Sequence, residues 1–260
     1  MRRFVPGLCS VTLRTLSVDD VARLASECEL HAIEWGADVH VRPGDVAARS
    51  RARAATAAAG CRVASYGSYL FAAGVPTGAE ILATLDTAVE LGAPNVRVWA
   101  GFGVEVGTDH YAALVNGLRF GCGEAGLRGL TLGLEFHGGT PTATVLGTLG
   151  LMDAVDAANL FTYWQPPYWR APTAPESNAA EVIALSARLS HLHVYEWAGP
   201  EDRRPLAEGA DRWLAVLAAA TDARGWHGER VALLEFVTGD DPEALRRDAA
   251  TLRGWLDSPA

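Results

Sequence analysis

Eight short strand-like runs punctuate the chain, at residues 7–12, 32–36, 62–66, 95–100, 131–136, 160–165, 190–194 and 231–236. Helical patterns fill the gaps, and successive runs start about 25 to 40 residues apart, the repeat of a strand–helix unit with its loops. Regular alternation predicts a parallel sheet, since parallel neighbours need a crossover that a helix supplies. Eight such units predict closure, so the expected fold is α/β, a (β/α)8 barrel forming a single domain over residues 1–260. No linker or low-complexity tract divides the 260 residues, and a chain this long buries roughly three quarters of its unfolded surface without staples.

The helix ends are written in the sequence. Ser17 precedes Val18-Asp19-Asp20, placing acidic residues where the helix dipole favours them. Thr77-Gly-Ala-Glu80 is a capping-box pattern, and Gly92 follows Leu91 as a stop. Asp45 is positioned to cap 46–59 ahead of Gly60, and Asp241-Pro242-Glu243 opens a last helix with an apolar stretch over 244–256. That stretch suits packing on its own barrel or on a second copy in a homo-oligomer. Residues 199–209 read as the longest polar loop.

Composition excludes several chemistries. All 22 basic residues are arginine, so Schiff-base and pyridoxal mechanisms have no lysine to use. A net charge of -9 argues against nucleic acid and anionic membrane surfaces as partners. The four cysteines form no C-x-x-C pair, suggesting neither a disulfide framework nor a thiolate zinc site. Pro6 and Gly7 interrupt any signal-peptide pattern, and no apolar run approaches a membrane span, so a cytoplasmic protein is expected.

The chemistry gathers where strands end. Leu132-Gly-Leu-Glu-Phe-His-Gly-Gly139 delivers Glu135 and His137 to one side of an extended segment before two glycines break it. Residues 161–165, 189–193 and 231–235 close in the same way on Gln165, His193 and Glu235. In a parallel barrel that rim houses the active site. Strand side chains alternate faces, so Glu135 points with His137 and His191 points with His193. A buried carboxylate needs a partner. An ion pair with a rim arginine would satisfy one strand-end glutamate. Two of them, together with His-x-His, suit a divalent metal: Mg, Mn, Co or Zn. Of the two histidines, one is expected as a ligand and the other as a hydrogen bonder to substrate or ligand. Glu34, Arg97 and Trp99 are further rim candidates, and Trp164, Trp169 and Trp197 suit the C–H faces of a sugar. His31, His110 and His227 read as surface or packing residues.

At these residues the chain resembles the xylose isomerase-like TIM-barrel superfamily of sugar phosphate isomerases and epimerases, ketose 3-epimerases, inosose dehydratases, hydroxypyruvate isomerases and endonuclease IV. The resemblance runs from Ile33-Glu-Trp-Gly-Ala-Asp-Val-His40 to Leu233-Leu-Glu-Phe-Val237, through Arg204-Pro-Leu-Ala-Glu-Gly209, Trp213 and Gly225-Trp-His-Gly228. It implies one divalent metal held by Glu135, Gln165, His193 and Glu235, with the two glutamates also exchanging a proton with a substrate carbon. Arg97, His137, His191, Glu34 and Trp99 would then contact the substrate. Gln165-Pro-Pro-Tyr168 departs from the family pattern, in which an aspartate is followed three residues later by histidine. Glutamine ligates through its carbonyl oxygen but brings no charge, so affinity for a hard cation falls. The resemblance implies a metal-assisted isomerase or epimerase of a sugar or polyol working through an enediolate. The alternatives are a lyase that dehydrates an inosose-like ring or cleaves a glycoside, and a non-catalytic sugar-binding barrel with a decayed metal site. The endonuclease branch fits least, since it needs more metal ligands and a basic groove.

Overall fold

The computed structural model describes residues 4–171, 173–199, 201–220, 226 and 228–257. The chain opens with β1 (Val5–Cys9), α1 (Val18–Glu27), β2 (Ala32–Gly36), α2 (Val46–Ala58), β3 (Arg62–Gly67), α3 (Gly78–Leu91), β4 (Asn95–Val98) and α4 (Asp109–Leu127). It continues with β5 (Thr131–Leu134), α5 (Val145–Val155), β6 (Leu160–Trp164), α6 (Pro175–Leu185) and β7 (Leu189–Val194). A hairpin, β8 (Glu196–Gly199) and β9 (Asp202–Arg204), then precedes α7 (Ala210–Ala219), β10 (Val231–Leu234) and α8 (Pro242–Asp257). Eight parallel strands close in the order β1-β10-β7-β6-β5-β4-β3-β2, which is the expected (β/α)8 TIM barrel.

The caps are those the sequence spells. Ser17, Asp45 and Thr77 each accept from a first-turn amide, Thr77 and Glu80 complete a capping box, and Gly92 ends α3 in the left-handed conformation. Asp241 accepts from the Glu243 amide at the start of α8. Helix α8 buries Ala244, Leu245, Ala249 and Leu252 against its own barrel, touching β1 and β10. Two boundaries differ from expectation. Strand β1 begins at Val5 rather than residue 7, because its ladder to β10 already starts at Val5↔Val231. Part of the expected polar loop, 199–209, is the β8–β9 hairpin, whose few, largely charged residues carry no apolar alternation to announce a strand. Among the described residues, no helix is long and apolar enough to cross a membrane.

Strand parity sorts the core. Leu8, Ile33, Trp35, Val96, Val98, Leu132, Leu134, Trp164, Leu192, Val194 and Leu234 face the helices and join one apolar cluster. Each such side chain contributes about 1.5–3 kcal/mol by leaving water. The inward face is different. Beside Val5, Cys9, Ala32, Tyr163, Val231 and Leu233 it holds Glu34, Ser65, Asn95, Arg97, His191 and His193, all buried. Barrel interiors are ordinarily filled by branched aliphatic side chains, so polar groups here give up burial energy and must be satisfied by one another or by a ligand.

Candidate active site

Register brings these groups together. Cys9 pairs with Glu34 across β1 and β2, Glu34 with Ser65 across β2 and β3, Gly67 with Arg97 across β3 and β4, and Leu233 with His193 across β10 and β7. Glu135, Gln165 and Glu235 each follow the last residue of their strand. They lie at the C-terminal rim yet are almost fully buried.

Arg97 forms the first half of the site. Its Nε donates to Glu34 Oε1 at 3.0 Å, and its Nη1 donates to Glu135 Oε2. Ser65 Oγ donates to the other Glu34 oxygen at 2.6 Å. Burial would raise the Glu34 pKa, but the Arg97 charge, His193 and Ser65 together hold it well below the usual carboxylate range. A side chain at position 67 would collide with this pair: a Cβ there would stand 2.8 Å from Glu34 Oε1 and 2.9 Å from Arg97 Nη2. Gly67 makes room for the bridge. The rim ion pair that the sequence allowed for a strand-end glutamate is therefore what Glu135 makes. Arg97, expected against substrate, is committed to carboxylates.

His193 forms the second half. Its Nδ1 is 3.0 Å from Gln165 Oε1 and 3.2 Å from Glu235 Oε2, while its Nε2 faces Glu34 Oε1 at 3.5 Å. Burial works to lower the His193 pKa, and the surrounding Glu235, Glu34 and Glu135 charges raise it. Burial, opposed by His193 and reinforced by Glu135, pushes Glu235 up to about 7. Among the described residues, Glu235 Oε2 and His193 Nε2 find no hydrogen-bond partner although both are buried. The following residue, Phe236, is held at φ 53, a left-handed conformation that costs a bulky residue on the order of 1–2 kcal/mol. Its ring packs on Trp197, with the Arg203 guanidinium 4.9 Å from its centre.

The remaining expected residues divide. His137 Nδ1 donates to the Gly138 carbonyl at 2.8 Å, so its Nε2 is the acceptor of the Tyr168 hydroxyl at 2.9 Å. Both nitrogens are occupied, and what His137 offers a substrate is its ring, set between Trp99 and Trp169 at 4.6 and 5.6 Å. With Tyr69, Phe102, Tyr168 and Trp197 these rings make a continuous aromatic wall. His191 lies below the rim. Its Nδ1 accepts from the Val231 amide at 3.1 Å, its ring touches Tyr163 and Trp226, and burial pushes its pKa down to about 3. It stands inside the barrel, a layer below the strand ends, with its Nε2 without a hydrogen-bond partner among the described residues. Trp164 also leaves the proposed sugar wall: it points outward onto Trp213 and donates to Glu181, as its parity opposite to Gln165 requires. His227 falls outside the described residues. Two cavities border this aromatic wall, one of about 360 Å³ lined by Tyr168, Trp169, Tyr195 and Trp197, the other of about 610 Å³ by Asp38, Ser68 and Tyr69.

The donors suit a divalent cation. Two buried carboxylates, Glu34 and Glu135, share the Arg97 guanidinium, and a third, Glu235, stands against His193. The unpartnered Glu235 Oε2 and His193 Nε2 are the atoms a cation would satisfy. Of the four expected ligands, Gln165, His193 and Glu235 converge, whereas Glu135 turns an oxygen to Arg97. A second donor group shares the same histidine: Cys9 Sγ, a Glu34 oxygen and a His193 nitrogen all lie within 4.8 Å of one another. Sequence reasoning set Cys9 aside for want of a C-x-x-C partner. Its position at the end of β1, with the parity of an inward residue, was the available signal.

The barrel resembles several solved structures. The barrel superposes on the probable 3-DHS dehydratase AsbF of Bacillus anthracis, with TM-score 0.75 at 19% identity over 96% of this chain and 99% of that one. It matches an L-ribulose 3-epimerase with TM-score 0.75 at 16% identity, over 98% and 95% of the two chains. It also matches the IOLI protein, solved with a zinc atom bound, with TM-score 0.74 at 14% identity over 97% and 98%. A search among curated proteins finds no match to the sequence. Likeness at these identities establishes the fold, and the family follows from the sequence pattern itself, since the family model described as xylose isomerase-like TIM barrel matches residues 22–255. The chain belongs to the xylose isomerase-like TIM-barrel family.

Proposed function

We propose that the protein is an isomerase or epimerase of a sugar or related polyol that moves a proton between substrate carbon and the pair Glu135 and Glu235. The observation that supports it is two buried carboxylates, from the ends of β5 and β10, in unlike settings at one rim. Glu135, held by Arg97, accepts the proton from the carbon beside the carbonyl, and the electron pair of that C–H bond passes into an enediolate. Glu235, pushed up to about 7, holds a proton near neutrality and returns one to the opposite face, inverting that carbon, or to its neighbour, moving the carbonyl. A divalent cation, when bound, polarises the carbonyl and neutralises the enediolate oxygens. Gln165, His193 and Glu235 toward the mouth, or Cys9, Glu34 and His193 below it, would hold that cation. Trp99, Trp169 and Tyr168 cover the C–H faces of the sugar and exclude water.

Incubation with a panel of ketoses in deuterium oxide tests this. The expected outcome is deuterium at the carbon next to the carbonyl, with formation of the epimeric or isomeric product abolished in Glu235→Gln; no exchange with any ketose overturns the proposal. A lyase is the second reading, because a protonated Glu235 is equally placed to protonate a departing hydroxyl. Loss of the mass of water from the product, in place of an isobaric product, selects it.

A further inference from the structure

We propose that the cavity of about 360 Å³ beside the aromatic wall is an anion-binding subsite that holds the carboxylate or phosphate of an acidic sugar substrate. The proposal rests on the reading of the protein as acting on sugars, and it names the class of sugar. Three separate segments form the cavity. The turn after β6 carries Tyr168, Trp169 and Arg170, β8 carries Trp197, and the first turn of α7 carries Arg212. Its rings join it to the acids. Tyr168 donates to His137, and Trp197 packs on Phe236, the residue that follows Glu235. A sugar with its reacting carbon at Glu235 extends its far end past these rings into the cavity.

Along this wall, the buried side-chain atoms without a hydrogen-bond partner among the described residues are Arg170 Nε, Trp197 Nε1 and Arg212 Nε. All three are N–H donors, and none can accept. Buried donors without acceptors are unfavourable, so the occupant of the cavity supplies acceptors. Neighbouring polar groups are already engaged: Tyr195 donates to the Pro166 carbonyl at 2.7 Å, and Asn178 donates to Thr173 Oγ1 at 3.1 Å. Each guanidinium is positioned by a glutamate through one terminal nitrogen only. Arg170 uses Nη2 on Glu181, and Arg212 uses Nη1 on Glu196 at 3.3 Å. In Arg212 this leaves Nε and Nη2, the parallel N–H pair that fits two oxygens of one anion. A hydroxyl would bring a hydrogen in need of its own acceptor, whereas an ionised carboxylate or phosphate brings acceptors alone. Glu181 and Glu196 offset the arginine charges in the empty cavity, so the anion is recognised through directed hydrogen bonds more than through net charge.

Calorimetric titration with the ketose panel tests this, each ketose being offered in neutral form, as its terminal phosphate and as its terminal carboxylate. One anionic form is expected to bind at least about 10-fold tighter than its neutral parent, the gain of one charge-assisted contact. Arg212→Gln should bring that preference close to unity, and Trp197→Phe, which keeps a ring but removes the N–H, should lower it about 3-fold. Native circular dichroism is the check on folding. Should Arg212→Gln misfold by stranding Glu196, Arg212→Gln combined with Glu196→Gln removes both charges together. Equal affinity for charged and neutral forms, or a preference that survives loss of Arg212, overturns the proposal. Inorganic phosphate identifies the source of the anion. Displacement of the anionic ketose is expected, whereas phosphate that binds without displacing it overturns the assignment to substrate in favour of a free-anion site. Neutral and anionic ketoses that exchange deuterium equally well sink this subsite alone, while absence of binding and exchange with every form sinks the sugar reading with it.

Discussion

Glu135 and Glu235 end strands separated by β6 and β7, are equally buried, and are opposite in circumstance. Glu135 is tied to a guanidinium that a second carboxylate, Glu34, also grips. Among the described residues, Glu235 meets the His193 imidazole at 3.2 Å and leaves Oε2 without a hydrogen bond. One corner is a closed electrostatic unit, the other an open one. A closed unit contributes rigidity and suffers when any member is removed, because the remaining charges are stranded in a low-dielectric interior. An open corner contributes little to stability and retains the capacity to take a proton or a cation. The same residue type at the same depth therefore serves two purposes, set by what stands beside it.

The strongest way to break this contrast is to remove the guanidinium. Arg97→Met strands Glu34 and Glu135, and a stability loss of about 3–5 kcal/mol is expected in urea unfolding. Combining it with Glu135→Gln should recover part of that loss, giving a non-zero coupling in the double-mutant cycle. An additive cycle would mean that the two are not a unit.

Turnover sharpens the same contrast. Glu235→Gln is expected to lower kcat about 100-fold or more while unfolding free energy stays within about 1 kcal/mol of wild type. Glu135→Gln should lower both, since it leaves Arg97 half-paired. Equal destabilisation by the two substitutions would erase the distinction between the corners.

Smaller effects follow from the residues that hold the corners in place. Gly67→Ala sets a methyl against Glu34 and Arg97, and about 1–3 kcal/mol of destabilisation is expected from thermal unfolding. Tyr168→Phe removes only the hydrogen bond to His137 Nε2, worth about 1 kcal/mol, and should raise KM more than it lowers kcat.

The pH dependence should differ in sign between the corners in chelated protein. Glu235 is raised by burial to about 7, so the folded state binds the extra proton between the ordinary carboxylate range and neutrality, and stability falls as pH rises through that window. Glu34 is depressed, chiefly by Arg97 working against burial, so its contribution is present above the ordinary carboxylate range and lost only on strong acidification. Glu235→Gln should flatten the decline between pH 5 and pH 8 in urea melts. An unchanged slope would show that Glu235 is not its source.

Much of this was legible before any coordinates. Strand ends at Glu135, Gln165, His193 and Glu235 are marked by apolar runs stopped by glycine, proline or polar residues, and local alternation alone puts their side chains on the inward face. What was not legible is who meets whom. Arg97 and Glu34 are 63 residues apart in sequence, and their contact depends on β3 lying between β2 and β4 with Gly67 leaving space. His137 and His191 fit the same local pattern as His193. One is occupied by Gly138 and Tyr168, and the other is set a layer deeper against β10.

The sequence by itself determined the repeat, the caps and the side of each strand on which the acids and histidines stand, because these depend on periodicities of a few residues and on the chemistry of adjacent side chains. Tertiary structure alone decided which carboxylate is neutralised, which histidine nitrogen is free, and that Cys9 joins Glu34 and His193. Those outcomes rest on closing eight strands into a ring, where register places residues distant in the chain within hydrogen-bond reach and burial makes their charges matter.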